Sequence, residues 1–107
     1  MQIIERGSGD PVVLIPGLQG RWEYVRPAVD ALGAYFRVLT FSLADEPSAG
    51  ASFDRAPGID GYARQVEAVM SDRGIDRAAI CGVSFGGLVA LRAVARTPAR
   101  AGALVLV

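Results

Sequence analysis

Ala78-Ala79-Ile80-Cys81-Gly82-Val83-Ser84-Phe85-Gly86-Gly87-Leu88-Val89-Ala90-Leu91-Arg92-Ala93-Val94-Ala95-Arg96-Thr97 is the stretch that decides how this chain is read. It opens with a short apolar run, Ala78–Val83, which follows Gly74 and the charged pair Asp76-Arg77, as a buried parallel strand should. It closes with Leu88–Arg96, where good helix formers dominate and no Gly or Pro intervenes until Pro98. Between them lies a Gly-x-Ser-x-Gly turn, Gly82 to Gly86. A serine hydroxyl becomes a useful nucleophile when a sharp strand-to-helix turn lifts it clear of its neighbours. The residues two before and two after it must then be nearly free of side chain, which Gly82 and Gly86 satisfy. Ser84 is therefore the candidate nucleophile. The alternative is a glycine-rich turn in which Ser84 only hydrogen-bonds at a helix start.

The rest of the chain repeats the same strand–helix grammar. Gln2–Glu5 reads as a short strand, closed by the turn Gly7-Ser8-Gly9-Asp10-Pro11. Val12–Ile15 is an aliphatic run too short for a helix and bounded by prolines, hence a strand. Trp22, Val25, Val29 and Leu32 share one helical face, with Pro27 expected in a first turn and Gly33 at the C-terminal cap. Arg37–Leu43 is rich in β-formers. Asp60 is expected to cap a helix whose face carries Tyr62, Val66, Val69 and Met70, closed by Arg73-Gly74. Ala103–Val107 begins a further apolar strand of the buried type, and with its neighbouring strands missing it is expected to leave a sticky edge.

Ala44–Ile59 is the least regular stretch. Neither side of it is long enough to close its own core, so it reads as a long loop rather than a linker. Its carboxylates Asp45 and Glu46 are either catalytic or simply solvated.

Alternating strands and helices imply an α/β fold, a mostly parallel sheet with flanking helices, whose functional groups gather at the C-terminal ends of the strands. Two segments occupy such ends, Ser84 and Pro16-Gly17-Leu18-Gln19-Gly20. Attack on an acyl carbon builds an alkoxide that needs two preorganised donors. The N–H of Phe85, at the positive end of the following helix, is one candidate. The N–H of Leu18, in a glycine-rich turn, is the other. For both to serve one site, the strands Val12–Ile15 and Ala78–Val83 must be neighbours. Ser84 is also expected at positive φ, because the turn exposes its hydroxyl at that cost.

Composition excludes several classes. The 107 residues make room for one small domain, 51% of them hydrophobic, with mean hydropathy +0.33. Eleven basic residues, all Arg, balance eleven acidic ones, and no basic block occurs, so nucleic acid and anionic membranes are not expected partners. No Gly-x-Gly-x-x-Gly is present, and a phosphate-binding loop lysine is impossible in a chain without Lys. No cofactor or metal site is expected. Cys81, the single cysteine, allows no internal disulfide and reads as a small core residue, in keeping with a cytoplasmic protein. The start of the chain shows no basic n-region and no long apolar run, so neither a signal peptide nor a membrane span is expected.

These features together resemble the α/β-hydrolase superfamily, in particular its small esterase, lactonase and cofactor-free haloperoxidase-like members. The resemblance rests on Gly7-Ser8-Gly9-Asp10-Pro11-Val12-Val13-Leu14-Ile15-Pro16-Gly17, on Gly82-Val83-Ser84-Phe85-Gly86-Gly87 and on Ala103-Leu104-Val105-Leu106-Val107. It covers nearly the whole chain but about the first half of a family domain. In the family the first segment is usually followed by His-Gly. Here Pro16 stands in place of that histidine, and the role falls to backbone N–H groups.

The resemblance implies a serine hydrolase that acts on a small ester, thioester or lactone through an acyl-enzyme on Ser84. It also implies the order nucleophile, acid, base, with a later acid and a histidine near the C-terminus. The chain contains no histidine. Residues 1–107 are accordingly expected to be the N-terminal part of a single domain, incomplete at the C-terminus and inactive alone. The alternative from a different class is a binding or scaffold protein that keeps the fold without catalysis.

Overall fold

The computed structural model describes residues 2–17, 20–43 and 59–107. Among these, five strands form one sheet in the order β1-β3-β2-β4-β5: β1 (Ile4–Arg6), β2 (Pro11–Ile15), β3 (Arg37–Thr40), β4 (Ala78–Gly82) and β5 (Ala101–Leu106). The expected neighbours β2 and β4 pair in parallel, with Val13 opposite Ile80 and Ile15 opposite Gly82. β2 also pairs in parallel with β3, and β4 with β5. β1 alone runs antiparallel, against β3, at the edge of the sheet.

Three helices cover the sheet: α1 (Arg26–Leu32), α2 (Ile59–Asp72) and α3 (Phe85–Arg96). The side-chain alternation of a strand assigns residues to the two layers. Val13 and Ile15 of β2 enter one core with Val66, Val69 and Met70 of α2 and with Val89 and Ala93 of α3. Leu14 of β2 and Val38 of β3 enter another with Val25 and Val29 beside α1. Val12, Val13, Leu14 and Ile15 are 7, 0, 1 and 0% exposed, so β2 is covered on both faces. That double burial is why its sequence is a continuous aliphatic run rather than an alternating one.

Several boundaries differ from expectation. The first strand is Ile4–Arg6, shifted from Gln2–Glu5 because its pairing runs Ile4–Thr40 to Arg6–Val38. β3 ends at Thr40. Phe41, Ser42 and Leu43 continue buried beyond the ladder, their burial coming from side-chain packing rather than from strand pairing. Trp22–Val25 is a 3-10 turn that leads into α1, with Pro27 in the first turn of α1 and Gly33 as its cap. α2 includes Ile59, which puts Asp60 inside the first turn instead of at the cap position.

Ala103–Val107, expected as an apolar strand whose neighbouring strands are missing, falls in and just after β5. β5 lies at the sheet edge, and among the described residues it pairs only with β4. Leu104, Val105, Leu106 and Val107 are exposed in consequence, Val107 by 77%.

The short β1 is held by charge as well as by its ladder. Glu5 accepts a forked pair from Arg37, Nε at 3.0 Å and Nη2 at 3.3 Å, and a third bond from Arg73 Nη1 at 3.3 Å, just beyond the end of α2. The Arg37 hydrogen bond lowers the Glu5 pKa below the ordinary carboxylate range. A group whose pKa is depressed in the folded state adds stability above its unfolded pKa, about 4.3 for Glu. That stability is lost as pH falls through the folded value. Glu5→Gln is therefore expected to cost about 0.5–1 kcal/mol at pH 7, a modest figure because the cluster is partly solvated. Urea unfolding at pH 7 and at pH 3 checks it: the difference from wild type should be smaller at the lower pH.

Candidate active site

β4 ends at Gly82 and α3 begins at Phe85, so Val83 and Ser84 make the whole turn. Among the described residues Ser84 is the one non-glycine residue at positive φ, with φ 54° and ψ −119°. An L-residue held there costs on the order of 1–3 kcal/mol, so the surrounding structure must enforce it. Four backbone bonds do so: Val83 N–H to Ile15 O at 3.1 Å, Ser84 N–H to Val107 O at 2.9 Å, and Gly86 and Gly87 N–H to Val83 and Ser84 O, each at 2.8 Å. Ser84 stands at the N-cap position of α3, yet its side chain makes no capping bond, and the residue is exposed. The simple capping role weighed from sequence is thereby removed.

The flanking glycines are required by backbone proximity. A Cβ on Gly82 would lie 2.5 Å from the carbonyl carbon of Gly86 and 2.6 Å from Gly87 Cα. A Cβ on Gly86 would lie 2.5 Å from the Pro16 carbonyl oxygen and also overlap Ile15 O. Strand, turn and helix therefore touch backbone to backbone.

The loop after β2 packs against this turn. A Cβ on Gly17 would sit 3.1 Å from Val83 O and 3.4 Å from Ser84 Cβ. The Gly20 N–H bonds back to Gly17 O at 2.9 Å, and Gly20 takes φ 70°. At the first position of α3, the Phe85 N–H has no acceptor within its own helix and lies beside Ser84 at the positive end of the helix dipole. The Phe85 ring meets Tyr62 of α2 edge-to-face at 5.7 Å, which fixes the start of α3 against α2. Val83, Ser84 and Gly86 thus meet the Pro16-Gly17 backbone at one place. Leu18, Asp45 and Glu46 lie outside the described residues.

A strand–Gly-x-Ser-x-Gly–helix turn set beside a glycine loop, at adjacent parallel strand ends, is decisive when joined to a sequence match. A family model described as alpha/beta hydrolase fold matches residues 10–107. The chain belongs to the alpha/beta hydrolase fold family.

Its relatives within that family are named as hydrolases. A putative carbamate hydrolase RutD from Rhizobium rhizogenes is 28% identical over 104 residues, 97% of this chain and 40% of the relative. A pimeloyl-[acyl-carrier protein] methyl ester esterase from Nitrosomonas europaea is 36% identical over 104 residues, 94% of this chain and 38% of the relative. Among solved structures, the enol-lactonase from Burkholderia xenovorans superposes with a TM-score of 0.78 at 27% identity, covering 96% of this chain and 41% of that one. The chain spans about two fifths of the length of the curated relatives it matches.

Cys81 is disfavoured as a nucleophile on physical grounds. Cys81 lies within β4, packed against the α1-side core, and burial pushes its thiol pKa up, away from the reactive thiolate. Among the described residues no group of three or more His, Cys, Asp or Glu could hold a metal ion. Nor is any helix there long and apolar enough to cross a membrane. A narrow crevice between α2, α3 and β5, lined by Met70, Ile80, Ala93, Thr97 and Arg100, excludes all the residues of the turn.

Two residues near the site escape a reading of the sequence. Ser42, just past β3, accepts the Trp22 N–H on its Oγ at 3.3 Å. Gln65, fully buried in α2, donates from Nε2 to Ser42 O at 2.7 Å. The available signal was positional: Gln65 lies three residues after Tyr62 and four before Val69, a polar side chain on an apolar stripe.

Proposed function

We propose that this chain carries the nucleophile and the oxyanion-stabilising half of a serine hydrolase that acts on a small ester, thioester or lactone. Ser84 Oγ attacks the acyl carbonyl, and the carbonyl oxygen becomes an alkoxide facing the N–H of Phe85 and the N–H of Leu18. The departing alcohol or thiol leaves an acyl group on Ser84, and water then releases it as the carboxylic acid. Each half-reaction needs a base to take the proton from the attacking hydroxyl or water and an acid to give it to the leaving group. The chain has no histidine. The catalytic acid and histidine are accordingly assigned to sequence outside these 107 residues, which form the N-terminal part of one domain.

The observation that carries this reading is Ser84 itself: exposed, uncapped and held at φ 54° at the start of α3. A serine with a purely structural role has no reason to be kept in a costly conformation that frees its hydroxyl. The named relatives support a carbonyl substrate, since carbamate, methyl ester and enol-lactone hydrolysis all proceed by attack on a carbonyl.

The test is one assay on two proteins with p-nitrophenyl acetate: the 107-residue chain and a longer polypeptide that adds the acid and histidine. Loss of the base from a serine hydrolase costs on the order of 10⁶-fold in kcat, or about 8 kcal/mol. The short chain should therefore be silent and the longer one active. Activity in the short chain would require another base, with Asp45 and Glu46 the first to be replaced. A longer polypeptide inert towards esters, thioesters and lactones alike would favour the reading that the missing histidine also suggests, a non-catalytic binding protein.

A further inference from the structure

From the hydrogen bonds behind the glycine loop, we infer that Gln65 and Ser42 are positioning residues that hold this loop at its working distance from Ser84. The inference rests on the proposed hydrolase function for its catalytic consequence, though not for its geometry.

The bonds form a continuous path. Gln65 Nε2, in the interior of α2, donates to Ser42 O at 2.7 Å. Ser42 Oγ accepts the Trp22 N–H at 3.3 Å, and the next residue, Leu43, donates its N–H to Gly20 O at 2.7 Å. Gly20 donates to Gly17 O at 2.9 Å, and Gly17 abuts Val83 O and Ser84 Cβ. Phe41–Leu43 lie beyond the β3 ladder, so sheet pairing does not fix them. Bonds to α2 and to the loop, with the buried side chains of Phe41 and Leu43, take that role. Ser42 is 3% exposed and Gln65 is fully buried, so water does not compete for these bonds.

The position of the loop matters because donors to a developing alkoxide act only at close range. A displacement of about 1 Å in such a site can cost about 100-fold in rate. An amide side chain is costly to bury inside a helix face that is otherwise Ala, Val and Met. Its Nε2 donates to the segment that anchors the loop.

Hydrogen exchange on the 107-residue chain tests the placement, and kinetics on the longer polypeptide test its consequence. Gln65→Met keeps the length of the side chain and removes the donor. The amides of Gly20, Trp22 and Leu43 should then exchange at least about tenfold faster, while β2 and β4 amides stay protected. Ser42→Ala should loosen the Trp22 amide, and Ser42→Thr, which keeps the hydroxyl oxygen, should restore it. In the longer polypeptide, Gln65→Met and Ser42→Ala should lower kcat about 10- to 100-fold with KM changed less than about threefold. Val69→Ala, a core truncation on the same helix, should lower the melting temperature without changing kcat.

Unchanged exchange at all three amides overturns the inference, as does a fall in melting temperature with kcat intact. If Gln65→Met fails to fold, the Ser42→Ala and Ser42→Thr pair decides alone. If the wild-type longer polypeptide is inert, the hydrolase reading fails, while the exchange experiment still judges the positioning role.

Discussion

Ser84→Ala is expected to lower kcat for an activated ester by about 10⁶-fold in the polypeptide that carries the acid and histidine. The melting temperature should move by no more than a few degrees. The two outcomes separate because the hydroxyl is exposed and caps no helix N–H, so its removal breaks no packing and no structural bond. The strain also survives the substitution, since alanine carries the same Cβ at φ 54°. Ser84→Gly should instead relieve that strain and raise stability by about 1 kcal/mol while abolishing activity equally. A stabilised, inactive Ser84→Gly and an isostable, inactive Ser84→Ala would together show that the turn gives up stability for chemistry. Residual activity within tenfold of wild type in either variant would remove Ser84 from the reaction.

Gly82→Val and Gly86→Val should have the next largest effect, this time on folding. An added Cβ at Gly82 meets the backbone of Gly86 and Gly87, and one at Gly86 meets the carbonyls of Ile15 and Pro16. No rotamer change relieves an overlap with main-chain atoms. β4, α3 and β2 would have to separate, which breaks the core that Val13, Ile15, Ile80, Val89 and Ala93 share. Each substitution is expected to cost at least about 3 kcal/mol, beyond the usual penalty of an overpacked core. Against a total stability of about 5–15 kcal/mol for a native domain, a loss of that size removes a large part of the margin and shifts the urea midpoint accordingly. Circular dichroism and urea titration check this, and Gly74→Val provides a contrast. Gly74 has φ 66° but no atom within 4 Å of its would-be Cβ, so the penalty there is conformational alone.

These two expectations were legible in the sequence because the turn is a local device. Its glycine spacing, the apolar strand before it and the uninterrupted helix after it are contiguous, and each answers to short-range sterics. The adjacency of β2 and β4 was legible for a different reason: two donors serving one alkoxide cannot sit on distant strands.

What was not legible depends on contacts between segments far apart in the chain. The antiparallel β1 is three residues long and owes part of its placement to Glu5 meeting Arg37 and Arg73, 32 and 68 residues away. β5 begins at Ala101, two residues before the expected Ala103, because pairing with β4 rather than composition sets its start. The end of β3 at Thr40 is equally hidden, because Phe41 and Leu43 are as apolar and buried as any strand residue. Gln65 carries a weak signal, since a polar residue on an apolar stripe announces that it has a partner without naming Ser42. Leu18, Asp45 and Glu46 fall outside the described residues, so their proposed parts rest on sequence and family alone.

The exposed edge has a practical consequence for any such experiment. Leu104–Val107 and the α3 side chains Leu88 and Leu91 leave apolar surface open beside an unpaired strand edge among the described residues. Surfaces of that kind invite edge-to-edge association. The 107-residue chain should therefore be handled dilute, with its state of association monitored.

The central claim is that Ser84 is the nucleophile of an acyl-transfer site, and covalent trapping tests it most directly. The longer polypeptide would be treated with a fluorophosphonate, digested, and the modified residue located by mass spectrometry. A phosphonylated serine nucleophile forms an Oγ–P bond as fluoride leaves, so the mass gain marks the attacking atom. The expected result is a single adduct on Ser84, formed in the wild-type protein and absent from Ser84→Ala. An adduct at another residue, or equal labelling after denaturation and in the native state, would contradict the account.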